Sequence, residues 1–200
     1  MNLTLKQYRT IDIGILSAVL AASEALIAFA ARVWFSAENY ILSPTAAVIC
    51  IVMMRWGLYA VIPAVCGGLA MCIASGAGAE QFAVYCIGGC FSLAAYPLLK
   101  RLGKETVRKK AFLTFFFTAA VFLSIQLGRW LVGLMFGGTA ATFVTLLVTD
   151  SLSLLFAAVA VQLARHIDGL FEDQLGYLRR TQAERRRSQQ TDEVDTEYGG

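Results

Sequence analysis

Charge is scarce in this chain of 200 residues: 16 % of side chains are Asp, Glu, Lys or Arg, against about 25 % in soluble domains. The hydrophobic share, 58 %, is correspondingly high. Apolar residues in that excess leave too little charge to cover a water-facing surface, which excludes one soluble core and points to an integral membrane protein. The three prolines argue against a disordered chain, the five cysteines against a disulfide scaffold, and the single histidine, His166, against a histidine-ligated metal centre. Cys50, Cys66, Cys72, Cys86 and Cys90 show no CxxC spacing; Cys86 and Cys90 share a helix face, as small apolar packing residues do. Also missing are a P-loop, a GxSxG, an HExxH and a paired-carboxylate motif in any soluble stretch. The chain is therefore not expected to be an enzyme, to carry a cofactor or metal, or to bind nucleic acid. Active transport would draw on an ion gradient or on partner subunits.

What is present is a series of apolar runs. A hydrocarbon core of about 30 Å takes about 20 residues of helix to cross. Cutting at charges, glycines and prolines predicts an all-α protein of six transmembrane helices over residues 11–35, 41–56, 57–77, 81–100, 111–136 and 141–165. The second is short, and the second and third are separated only by Arg55, Trp56 and Gly57, so four spans plus a re-entrant hairpin is the alternative. Fifteen of the 17 Lys and Arg fall on alternate segments, and the intervening loops near residues 37–40, 76–80 and 137–140 hold none. Positive loops stay in the cytoplasm, which predicts both termini inside a plasma membrane. The first run, long and interrupted by Glu24, is expected to be a span and not a cleaved signal. Beyond Arg165, apolar residues at helical spacing among charges predict a cytoplasmic amphipathic helix over 166–187, followed by a disordered polar tail over 188–200.

Ionisable residues within spans are functional candidates by default. Glu24, Arg32, Arg129 and Asp150 all fall in the outer half, two acids and two bases. They form either structural ion pairs or the lining of a pocket. Polar company favours a pocket: Gln126, Arg129, Trp130 and Gly133 share one face of the fifth span, and Thr142, Thr145, Thr149 and Ser153 one face of the sixth. In an outward cavity Arg129 would bind a carboxylate or phosphate and Trp130 would stack on a flat ring. Trp34, Phe35, Glu38, Asn39 and Tyr40 are either interfacial anchors or a loop over the cavity mouth. In the first span Gly14, Ala18 and Ala22, and likewise Ser17, Ala21 and Ala25, recur every four residues. Such rows let another helix approach closely, inside the bundle or from a partner.

The rows Ala18, Ala22 and Ala21, Ala25, the stretch GLYAVIPAVCGGLA from Gly57 to Ala70, the Gly88, Gly89 pair and the basic connection from Lys100 to Lys110 carry a family resemblance. Over about residues 6–165 the chain resembles the substrate-binding S components of energy-coupling factor vitamin transporters. That resemblance implies capture of a vitamin or similar micronutrient in an outward pocket. It also implies a complex with a transmembrane coupling subunit and two ATPases, with the alanine face of the first span as the coupling contact. The substrate contacts would then be Glu24, Arg32, Gln126, Arg129, Trp130, Thr145, Thr149 and Asp150, and the partner contacts Gly14, Ala18, Ala21, Ala22 and Ala25. The alternative is a non-catalytic scaffold resembling the rod-shape-determining membrane proteins, with structural polar residues and the cytoplasmic helix as its working surface. An ion-coupled transporter has less support, since neither inverted halves nor broken-helix pairs stand out.

Overall fold

A computed structural model describes residues 4–34, 42–167, 170–174 and 176, without the side chains of Arg32 and Trp34. The described residues are helical with no strand. Four stretches are long and apolar enough to cross a membrane, and a fifth counts if two helices bent by 49° form one span. The helices are α1 (Leu5–Trp34), α2 (Thr45–Trp56), α3 (Val61–Ser75), α4 (Ala79–Leu102), α5 (Lys104–Lys109), α6 (Ala111–Leu134), α7 (Ala140–Thr149) and α8 (Ser151–Ala164).

Burial runs in the sense a bilayer requires. On α1, Ile13, Ser17, Leu20 and Glu24 face inward at helical spacing, while Ile15, Val19, Leu26 and Phe29 are exposed. On α6, Thr118, Val121, Ile125, Gln126 and Arg129 are buried, and Phe112, Phe115, Phe116 and Leu123 point out. The outward faces are thus apolar, and polar groups go to the interior, where other polar groups can satisfy them.

The stretch Thr45–Ser75, long enough for one span, is folded into two arms. Thr45, at the start of α2, bonds Glu24, whereas Arg55 and Trp56 at its end bond Asp12, so α2 runs antiparallel to α1. At Gly57 the backbone takes φ 65° and ψ −123°, a left-handed φ open chiefly to glycine. The chain then turns back through Gly57–Ala60 into α3, where a Cβ on Gly67 would strike the Thr45 side chain. At 1.5 Å per residue α2 is about 18 Å long, well short of a hydrocarbon core of about 30 Å. It is tolerated because all its residues but Val48 are buried and its polar ends bond protein instead of lipid.

Close packing orders the other half. α4 is an irregular helix, with a π turn at Ala83–Ile87 and a 3₁₀ turn at Phe91–Ala95. Gly88 lies so near α6 that a Cβ there would sit 2.7 Å from Arg129 Cα. Gly128 answers from α6, since a Cβ there would collide with the Gly88 carbonyl oxygen and with Phe91. α7 and α8 meet at a bend of 49° across Asp150, and Gln162 on α8 donates to the Ala111 carbonyl at the start of α6.

At the end of the bundle holding the α1 N-terminus, Asp12 accepts two bonds from Arg55 at 2.8 Å and one from the Trp56 indole. Residues 165–167 and 170–172 are turns and bends and do not continue α8 as helix. Phe171 is buried in the core, Arg55 donates to the Leu170 carbonyl, and Lys104 and Arg108 pair with Asp173 and Glu172. The expected amphipathic helix over 166–187 and the tail over 188–200 otherwise lie outside the described residues, apart from residues 173, 174 and 176.

Candidate functional site

Toward the opposite end, five elements contribute to one buried polar cluster. α1 supplies Glu24, whose Oε1 accepts the Ser43 and Thr45 hydroxyls at 2.5 and 2.6 Å. Ser43 precedes α2, and its backbone N–H donates to Ser153 Oγ on α8 at 2.9 Å. α6 supplies Gln126 and Arg129, one helical turn apart and therefore on one face. Both reach Asp150 Oδ2, Gln126 Nε2 at 2.7 Å and Arg129 Nη1 at 2.5 Å. α4 supplies Tyr85, whose ring lies 4.4 Å from the guanidinium carbon of Arg129.

Local structure explains each position. Asp150 is the residue at which α7 ends and α8 begins, yet its carboxylate does not cap α8; it is given to Arg129 and Gln126. The bend removes Asp150 from either regular helix and aims its side chain across the bundle. Tyr85 stands in the π turn of α4, a wide turn often found at functional sites. The glycine contacts that bring α4 against α6 put the tyrosine ring within range of Arg129.

Exposure is 0 % for Gln126, 2 % for Asp150 and 5 % for Arg129. Despite that burial, Gln126 Oε1, Arg129 Nε and Asp150 Oδ1 have no hydrogen-bond partner. Unpaired buried polar atoms are rare because each costs about 1–3 kcal/mol. Three of the described atoms of this kind lie in this one cluster. Gln126, Arg129 and Asp150 line a small cavity whose other walls include Ser43, Phe122, Ile125 and Ser153. Its free space for a water-sized sphere is ≈ 10 Å³, room for about one water.

The sequence-derived candidates separate accordingly. Glu24, Gln126, Arg129 and Asp150 come together. Trp130 instead closes the α6–α7 turn, its indole donating to the Thr139 carbonyl at 3.0 Å and packing on Phe143. Thr142 joins Thr139 in the capping box of α7. Thr145 is exposed and bonds the Ala141 carbonyl of its own helix, and Thr149 is half-buried. The Arg32 and Trp34 side chains and residues 35–41 lie outside the described residues. Gly14, Ala18, Ala22 and Ala25 are exposed on α1 and Ala21 is half-buried, while Ser17 of the same rows is buried.

Ser43, Thr45 and Tyr85 belong to the cluster and were not among the expected contacts. Ser43 and Thr45 flank Pro44 at the entry to α2, a segment whose sequence reads as simple helix initiation. Tyr85 is set by a π turn that residue periodicity does not signal. No family model matches the chain, and no curated protein or solved structure is significantly similar to it.

Proposed function

We propose that this protein is the substrate-binding subunit of an energy-coupling factor type importer, capturing a vitamin-sized micronutrient from outside the cell. The observation that carries the reading is the buried cluster of Gln126, Arg129 and Asp150, with three polar atoms left unpaired. A purely structural cluster would gain by satisfying them. Support also comes from α1, whose exposed Gly14, Ala18, Ala22 and Ala25 leave a smooth face for a helix of the coupling subunit. Two ATPases would supply the energy that this chain, lacking a nucleotide motif, does not. In this reading the bundle crosses the plasma membrane six times with both termini cytoplasmic. The antiparallel arms α2 and α3 are taken as the second and third passes although α2 alone is shorter than the hydrocarbon core, and the bent α7–α8 pair as the sixth. Because the free space holds about one water, admitting a vitamin requires the cluster to open.

That closed geometry also favours a second reading, a membrane scaffold in which Arg129 and Asp150 form a structural ion pair. Mass spectrometry of small molecules released on denaturing the purified protein separates the two. A binding subunit expressed in its own cells carries a stoichiometric small molecule. The double variant Arg129→Met with Asp150→Leu, folded but without the site, carries none. A wild-type protein that releases nothing, from cells and after incubation with a vitamin mixture, refutes the binding reading in favour of the scaffold.

A further inference from the structure

We infer that the site takes a cationic, hydrogen-bond-donating head group, an ammonium or amidinium, and not a carboxylate or phosphate; this rests on the binding-subunit reading and specifies its substrate class. The isolated sequence suggests the opposite, since an intramembrane arginine is an obvious anion receptor. In the folded chain that arginine is already engaged. Its Nη1 is bonded to Asp150 and its guanidinium lies against the Tyr85 ring. Among the described residues of the cluster, Glu24 and Asp150 stand against Arg129, two carboxylates to one guanidinium. An anion could reach the free Arg129 Nε without displacing Asp150 from Nη1, but it would then remain near both carboxylates, with little water to screen them.

The unpaired atoms point the same way. Gln126 Oε1 and Asp150 Oδ1 are acceptors and Arg129 Nε is a donor, so two of the three unpaired buried atoms of the cluster accept. The Ser43 hydroxyl is committed to Glu24, and Ser153 Oγ already accepts the Ser43 N–H. A group with several N–H donors and a positive charge satisfies both free acceptors and offsets the surplus carboxylate. An ammonium group is about the size of a water, so its head matches the free space of ≈ 10 Å³. The body of a larger ligand would extend beyond this space.

The test is thermal unfolding of the detergent-purified full chain at constant ionic strength. Choline chloride, a cation without N–H donors, is the background, replaced stepwise by methylammonium chloride, sodium chloride or choline acetate. Methylammonium is expected to stabilise saturably, with sodium and acetate without effect. Losing a hydrogen bond to a charged group should raise the half-saturating concentration about tenfold or more in Gln126→Met. Glu24→Gln, which keeps an acceptor for Ser43 and Thr45 but removes the surplus charge, should weaken methylammonium similarly and serves if Gln126→Met does not fold. Stabilisation by acetate alone overturns the inference, as does equal stabilisation by sodium, which would mark an inorganic cation site. No shift with any salt overturns it too, leaving a cavity for water only. An anionic molecule released from the wild-type protein overturns the substrate class while leaving the binding subunit standing. Saturable methylammonium binding by a chain that never releases a ligand does the reverse.

Discussion

Arg129→Met is the most informative single perturbation. The substitution conserves much of the side-chain volume but leaves Asp150, 2 % exposed, as a carboxylate without its cation. Breaking a buried pair in this way costs about 3–5 kcal/mol, because the remaining charge is not returned to water. Gln126 Nε2 still donates to Asp150 at 2.7 Å, which places the expected loss near the lower end, about 3 kcal/mol. Removing both charges with Arg129→Met and Asp150→Leu should recover most of it, since an apolar replacement of a buried pair is often neutral. The recovery is incomplete by about 1–3 kcal/mol, because Gln126 loses its only acceptor and stays buried. Adding Gln126→Leu should then return stability close to the wild-type value. Reversible unfolding in mixed detergent micelles, followed by tryptophan fluorescence, gives the four free energies, and Asp150→Leu alone completes the cycle that yields the Arg129–Asp150 coupling. A single variant within about 1 kcal/mol of wild type, or a double variant no better than the single, would refute the assigned buried pair.

Three further outcomes are expected. Gly88→Ala should lower the unfolding free energy by about 1–3 kcal/mol, since its Cβ would meet the α6 backbone at 2.7 Å; Gly133→Ala, with open space around it, is the control, and equal effects would contradict the close contact. Ala22→Trp, on the exposed face of α1, should leave unfolding unchanged but stop co-purification with a coupling subunit, so that intact assembly would refute the interface. Phe171→Ala removes a ring buried in the core and should make the chain after α8 more sensitive to limited proteolysis. An unchanged cleavage pattern would mean that Phe171 does not anchor that segment.

Much of the fold was legible because a bilayer imposes simple demands on a chain. Long apolar runs on α1, α4 and α6 had to be helices, since lipid offers the backbone no other hydrogen-bonding partner. The rare charges inside apolar runs had to find partners, and Arg129 on α6 meets Asp150 at the α7–α8 junction. Pairing was the part that periodicity left open: among the described residues Glu24 turns to the Ser43 and Thr45 hydroxyls. Threonines were misleading for a related reason. A hydroxyl in a helix is readily satisfied by the carbonyl one turn back, as at Thr145, so a polar row along a helix carries little information about a cavity.

The sequence by itself determined that this is an all-helical membrane-type protein, because charge scarcity and run length follow from composition alone. It also named three of the buried charges, Glu24, Arg129 and Asp150, because ionisable groups in apolar runs are few, but not Arg55, which is buried against Asp12. Only the tertiary structure decided that α2 folds back at Gly57, that a bend hands the Asp150 carboxylate to α6, and that a π turn in α4 brings Tyr85 to Arg129. Those features arise where separate helices meet. Local periodicity states which face of a helix is polar; which other face it meets, and whether a cation there is free or already paired, depends on packing between residues far apart in the chain.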